Sequence, residues 1–213
     1  MRSVFMTVKK WIYLGLFALT SALGAVSLSI AQDNASDPYQ QIEQVTIELL
    51  DTIAIHQSGY PENEQAYFDS LESLLRDRID FAFIARNVMG GYYNQATPAQ
   101  RARFAATFRS GLVETYGRGL IGYENQEIVL VKAGKVAEDQ RRLTVKQEIR
   151  SADTIYPLEY SMARKKTGQW MVVNVVINGI NLGKTFRNQF VQSAQRAGGD
   201  IDQVINGWSS EGL

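Results

Sequence analysis

The 213-residue sequence contains no cysteine, which excludes disulfide bonds, thiol nucleophiles and metal sites built on thiolates. Its one histidine, His56, excludes a cluster of histidine ligands, and a Ser-His-Asp triad would depend on this single residue. Positive and negative side chains are equal in number, at 22 each. The basic excess that nucleic-acid binding requires is therefore missing, and the hydrophobic core alone must hold the fold.

The longest apolar run lies at the amino terminus. Lys9 and Lys10 precede an apolar stretch that ends at residues 29–31 in a small-x-small pattern. This order is typical of a secretory signal peptide, so we predict a signal peptide at 1–31 and a single mature domain at 32–213. A retained membrane anchor is the alternative, because the run is just long enough to span a bilayer. The small and hydroxylated residues in its second half favour cleavage, which indicates a function outside the cytoplasm.

The first half of the mature chain has the pattern of helices. Asp37-Pro38 combines an N-cap residue with proline at the first helical position. Further helices are predicted at about 61–76 and after Asp80. Thr97 and Gln100 form a capping box for a fourth helix, whose aromatic and aliphatic residues recur every four positions.

The pattern changes to strands after Tyr123. The strand candidates are Glu127–Lys132, Arg142–Arg150, Tyr156–Arg164 and Trp170–Ile177. Apolar and polar residues alternate along the second and third candidates, which predicts an antiparallel sheet with one buried face. Helices return at about Leu182–Arg196 and Ile201–Ile205. The sequence therefore predicts an α+β domain.

Three features of the sequence weakly suggest nucleotide binding or catalysis. Residues 179–185 resemble a phosphate-binding loop, but three residues instead of four separate the glycines, which favours a strand-to-helix turn. His56 ends the first helix, where a surface or capping role is favoured over catalysis. The acidic pairs lie on polar helix faces, and no spacing places a carboxylate in an apolar cleft for acid–base catalysis.

Two blocks of residues resemble a known family. Residues 88–120 read VMGGYYNQATPAQRARFAATFRSGLVETYGRGL, and the second block contains Pro157–Met162, Trp170, Asn178–Leu182 and Phe186–Phe190. Together they resemble the MlaC family, also called the toluene-tolerance family, over nearly all of residues 38–208. The chain departs from the family pattern at Gly91-Tyr92-Tyr93, Asn174, Asn181 and Phe186.

The resemblance implies a fold and a function. The expected fold is an NTF2-like curled antiparallel four-stranded sheet packed against helices, with acyl chains held between them. The expected function is that of a periplasmic phospholipid carrier, monomeric and not an enzyme, with bound phospholipid as cargo and no other cofactor. The implied partners are an inner-membrane ABC transporter complex and an outer-membrane lipoprotein–porin complex. Shuttling between them would maintain the lipid asymmetry of the outer membrane.

A pocket wall can be predicted residue by residue, although a register slip of one residue would turn the other strand face inward. The expected sheet contacts are Leu143, Val145, Ile149, Leu158, Tyr160 and Met162. The expected helix contacts are Phe83, Met89, Phe104, Phe108, Leu112 and Tyr116. Arg187 is expected either to pair with a lipid phosphate or to bridge to a surface acid.

The sequence is also compatible with two other classes of function. The apolar stripes could form an ordinary filled core, in which case the chain would be an interaction module of the cell envelope. The same kind of scaffold also hosts isomerases, dehydratases and hydrolases, so an enzyme is the second alternative.

Overall fold

The computed structural model describes residues 37–131 and 134–208. The predicted signal peptide lies outside the described residues. The helices are α1 Pro38–Gln57, α2 Glu64–Arg76, α3 Phe81–Met89, α4 Pro98–Leu120, α5 Leu182–Arg196 and α6 Ile201–Asn206, with a 3₁₀ helix at Gly90–Asn94. The strands are β1 Glu127–Leu130, β2 Arg142–Arg150, β3 Ile155–Arg164, β4 Trp170–Ile177 and β5 Ile180–Asn181. Within the described ranges, no helix combines the length and the apolar composition that crossing a bilayer needs.

The helix starts follow the capping chemistry that the sequence predicts. Asp37 accepts a hydrogen bond from the Tyr39 N–H at 2.8 Å, which fixes the start of α1. Thr97 and Gln100 form the reciprocal capping box of α4, with bonds of 3.2 Å and 2.9 Å. Helix α2 begins at Glu64, three residues later than predicted, because a turn precedes it.

The strands form one antiparallel sheet in the order β1-β2-β3-β4-β5, so each strand lies beside its neighbour in the chain. The predicted four-stranded sheet lacked β5. This two-residue strand returns through a turn with positive φ at Asn178 and Gly179, and it pairs Ile180 with Ile177. A hairpin that short leaves no alternation of apolar and polar residues to detect in the sequence.

The register between β2 and β3 places alternate residues of the two strands on one face of the sheet. Val145 lies opposite Tyr160, and the next residue on that face, Gln147, lies opposite Leu158. Val145 is fully buried, and it packs with Ile42 of α1. This face therefore meets the helices, while the alternate residues face away from them.

The buried core of the described residues is divided into three clusters. The helical cluster joins α3 to α6 and contains Met89, Phe104, Phe108, Phe186 and Phe190 among others. The sheet cluster contains Ile42, Val145, Met162, Trp170 and Val172. The α2 cluster contains Ile53, Tyr67, Phe68, Leu71 and Val113. The space where these clusters approach one another is the site described next.

Candidate functional site

A cavity of about 320 Å³ lies between the inner face of the sheet and the helices. Residues of all three core clusters contribute to its wall. Its apolar lining comprises Leu49, Leu71, Leu75, Ile79, Phe81, Ile84, Phe108, Leu112, Val113, Leu120, Ile128, Ile149, Leu158, Val175, Ile177, Leu182 and Phe186. Its polar side chains are Thr46, Tyr116, Gln147, Tyr160 and Asn174, and none of the described lining residues is charged. Such a wall suits an apolar guest.

A hydrogen-bonded chain of polar groups lies on the side of the cavity toward α1. The Tyr160 hydroxyl donates to Gln147 Oε1 at 3.0 Å, and Gln147 Nε2 donates to Thr46 Oγ1 at 3.0 Å. The Thr46 hydroxyl in turn donates to the Ile42 carbonyl at 2.8 Å. Burial raises the pKa of Tyr160 to about 12, so its hydroxyl stays protonated as a donor. The chain links α1 to the sheet and satisfies these polar groups internally.

A second polar contact explains why glycine stands at position 183, in the segment that resembles a phosphate-binding loop. The Gly183 N–H donates to Asn174 Oδ1 at 3.0 Å, which joins the start of α5 to β4. A Cβ at position 183 would lie only 2.5 Å from that oxygen, so glycine is required by close approach. Asn181 caps the same helix through the Lys184 N–H at 3.0 Å. The glycine therefore serves the packing of a strand-to-helix turn, as predicted.

Tyr116 is the polar lining residue whose hydroxyl has no hydrogen-bond partner among the described residues, although the oxygen is excluded from solvent. Its ring continues a stripe of α4 residues that also includes Phe108, Leu112 and Leu120, all of which line the cavity. Burial raises the pKa of Tyr116. The hydroxyl is thus a neutral donor in an apolar wall.

The structure brings together six of the thirteen predicted contacts. They are Phe108, Leu112, Tyr116, Ile149, Leu158 and Tyr160. They come from α4, β2 and β3, whose periodicity gave the clearest signal in the sequence.

The remaining predicted residues lie outside the lining. Met89 and Phe104 are buried in the helical cluster, where the Phe104 ring packs 4.8 Å from that of Phe190. Val145 and Met162 fill the sheet cluster, with Leu143 packed against it. These residues lie on the predicted faces, but other side chains cover them. Two further predicted residues, Phe83 and Arg187, are absent from the lining as well.

Arg187 lies at the surface, against the start of the 3₁₀ helix that follows α3. A Cβ at Gly90 would be 3.1 Å from the Arg187 Nε, so the guanidinium group packs over this glycine. Gly90 itself has φ of 56°, a conformation that favours glycine.

Several lining residues were missed, and α4, α5 and β4 contribute the largest numbers of them. Leu71 and Leu75 belong to the apolar side of α2, which the sequence does reveal. Nothing in a single sequence says which apolar stripe faces a space and which faces another side chain.

Two exposed apolar residues lie beside the lining on the same sheet face. Tyr156 is 43% exposed opposite Ile149, and Ile180 is 54% exposed opposite Ile177.

His56 has the surroundings of a structural residue. Its Nε2 lies 3.0 Å from Ser70 Oγ, but the Ser70 hydroxyl donates to the Ala66 carbonyl at 2.8 Å. Neither His56 nor Ser70 lines the cavity, so the pair does not present a nucleophile to a guest. Within residues 37–131 and 134–208 there is also no group of acidic or histidine side chains that could hold a metal ion.

Comparisons with known proteins agree with this geometry. A family model described as MlaC protein matches residues 43–210. The toluene tolerance protein ttg2D of Pseudomonas putida is 34% identical over 199 residues, which cover 92% of this chain and 89% of that protein. The intermembrane phospholipid transport system binding protein MlaC of Haemophilus influenzae is 26% identical over 200 residues, covering 92% of this chain and 90% of that protein.

A solved structure is also similar to the chain. It is a phospholipid-binding protein from Ralstonia solanacearum in complex with a phospholipid, with a TM-score of 0.71 and 25% identity. The match covers 80% of this chain and 94% of the other. The family model and the Pseudomonas relative both span most of the sequence, and the chain belongs to the MlaC family.

Proposed function

We propose that the chain is a phospholipid carrier of the bacterial periplasm, which holds the acyl chains of its cargo in the cavity between sheet and helices. The observation that carries this proposal is a cavity with an almost wholly apolar wall and no charged lining residue among those described. Two comparisons support the proposal. The chain belongs to the MlaC family and is similar to a phospholipid transport protein, and it resembles a solved structure that contains a phospholipid.

The physical requirement on a carrier is to keep hydrocarbon out of water. The two tails of a phospholipid contain on the order of 30 methylenes, whose transfer from water is worth on the order of 25 kcal/mol at about 0.8 kcal/mol each. Apolar walls meet this requirement without a tight polar grip that would slow release. A cavity of about 320 Å³ lies at the lower end of the range for ligand pockets. Full loading therefore requires the wall to widen.

We propose direct contacts with the tails at the lining residues Phe108, Leu112, Tyr116, Ile149, Leu158 and Tyr160. Buried residues outside the lining, such as Phe104 and Val145, support the wall from behind. Arg187 is exposed outside the cavity, so we propose it as a contact only for a headgroup that projects from the protein.

The wider setting follows from the same proposal. The mature domain, residues 32–213, would be exported by its signal peptide and act as a monomer without catalytic activity. It would exchange lipid with an inner-membrane ABC transporter complex and an outer-membrane lipoprotein–porin complex, in the service of outer-membrane lipid asymmetry. We further propose that the sheet curls around its cargo in the NTF2-like manner.

The test is to purify the protein and measure bound lipid by native mass spectrometry and organic extraction. Near-stoichiometric phospholipid is expected. Leu158→Asp should abolish it, because Leu158 is buried in the cavity wall and a carboxylate there would meet hydrocarbon. Ile155→Asp is the matched control, since Ile155 lies on the same strand, is 55% exposed and faces away from the helices. A folded wild-type protein that never carries phospholipid would overturn the proposal.

A further inference from the structure

Of the five polar side chains that line the cavity, four take part in hydrogen bonds with other described residues and one does not. Gln147, Thr46 and Tyr160 bond to one another, and Asn174 accepts from the Gly183 N–H. Tyr116 is the exception, because its buried hydroxyl lacks a partner anywhere in the described ranges.

A buried hydroxyl without a partner has a cost. Removing such a group from water without replacing its hydrogen bond destabilises a protein by about 1–3 kcal/mol. A phenylalanine would fill the same space in the apolar stripe of α4 without that cost. The O–H bond rotates about the phenolic C–O bond, so the proton can turn toward an acceptor without moving the ring. The hydroxyl is therefore suited to a guest that brings an acceptor into the cavity.

The absence of charged side chains among the described lining residues restricts which acceptor the Tyr116 hydroxyl can bond. A lipid offers an anionic phosphate and the neutral carbonyl oxygens of its acyl esters. No lysine or arginine is among the described lining residues, so a phosphate inside the cavity would be a buried charge without a counter-ion. An ester carbonyl carries no charge and is joined directly to the tails that an apolar wall attracts.

We propose that the Tyr116 hydroxyl donates a hydrogen bond to an acyl-ester carbonyl oxygen of the bound lipid, and that this bond makes the protein select ester-linked over ether-linked lipids. The inference rests on the proposed function, because it assumes that lipid tails occupy this cavity. It makes Tyr116 a specificity-determining residue, since a site with a donor for the carbonyl discriminates against an analogue that lacks it.

The experiment is a competition within one membrane. The protein is incubated with vesicles that contain equal amounts of a diacyl phosphatidylethanolamine and its dialkyl ether analogue with the same chain lengths. Native mass spectrometry resolves the two complexes by mass, so the ratio of bound ester to bound ether lipid is read directly. Wild type, Tyr116→Phe and Tyr67→Phe are compared. Tyr67→Phe is the matched control, because it removes a buried tyrosine hydroxyl that lies outside the cavity lining and donates to the Gly117 carbonyl at 3.1 Å.

The expected result is that Tyr116→Phe lowers the ester-to-ether ratio by about three- to tenfold, the effect of one hydrogen bond. Tyr67→Phe should keep the wild-type ratio. The inference is overturned if Tyr116→Phe binds both lipids in the wild-type ratio, or if both variants lower the ratio equally. Binding of neither lipid by any variant would overturn the proposed function together with the inference.

Discussion

Filling the cavity should stabilise the empty protein and weaken lipid binding at the same time. Val175 is suited to this test because it lies on β4 opposite Tyr160, lines the cavity and is half-buried. Its neighbour Val176 lies opposite Glu159 on the other face of the sheet. The substitutions Val175→Phe and Val176→Phe therefore add the same atoms to the same strand, on opposite faces.

The size of the effect follows from the added volume. Phenylalanine exceeds valine by roughly 50 Å³, and at about 24 cal/mol per Å³ of cavity removed this gives a gain of about 1 kcal/mol in the free energy of unfolding. The same ring displaces roughly two methylenes of lipid tail, at about 0.8 kcal/mol each, which lowers lipid affinity by about tenfold. Because the cavity measures about 320 Å³, one added ring does not fill it.

The assay pairs urea unfolding of lipid-free protein with native mass spectrometry of protein incubated with phospholipid vesicles. Val175→Phe should raise the unfolding midpoint and reduce the lipid-bound fraction, and Val176→Phe should leave the lipid-bound fraction unchanged. Loss of stability in Val175→Phe would mean that the position is already filled, because overpacking a solid core is destabilising. Full lipid loading in a stabilised Val175→Phe would mean that the tails lie elsewhere.

Two further predictions concern polar contacts at the cavity. Gly183→Ala should lower the free energy of unfolding by about 1–3 kcal/mol, measured by urea unfolding, because the new Cβ would displace the Asn174 amide oxygen from its bond with the backbone. In the background of Asn174→Ala the same change should cost clearly less, and an equal cost would show that this contact is not the cause. The second prediction is a loss of stability in alkali. Burial raises the folded-state pKa of Tyr160 from 10.0 to about 12, so its contribution is complete below pH 10 and is lost as the pH rises toward 12. Unfolding measured across this window should show a smaller decline in Tyr160→Phe, and an identical decline would contradict the assignment.

The local structure of this chain could be predicted from short stretches of sequence. The N-caps at Asp37 and Thr97 act within three residues, and the bounds of β2, Arg142–Arg150, agree with the predicted strand. The strand β5 escaped prediction because two residues carry no periodic pattern. Its turn at Asn178-Gly179 belongs to a segment that the sequence had assigned only to a strand-to-helix connection.

The site was predicted only in part, for a reason that Phe104 and Phe108 illustrate. They lie four residues apart on one face of α4 and are equally buried. Both rings pack against α5 and Trp208, Phe104 through Phe190 and Phe108 through Phe186, but of the two only Phe108 lines the cavity. These packing partners are distant in sequence, so the periodicity of α4 alone does not separate the two residues.

The sequence by itself determined the order of the helices and of strands β1 to β4, and it indicated the family, because capping, periodicity and the residues of short sequence blocks are local properties. Only the tertiary structure decided which apolar faces close on one another and which enclose a space. Burial favours apolar side chains, and such side chains suit a solid core and the wall of an apolar cavity equally well. The distance between sheet and helices, which separates the two cases, depends on contacts such as that between Asn174 and Gly183, formed when distant parts of the chain fold together.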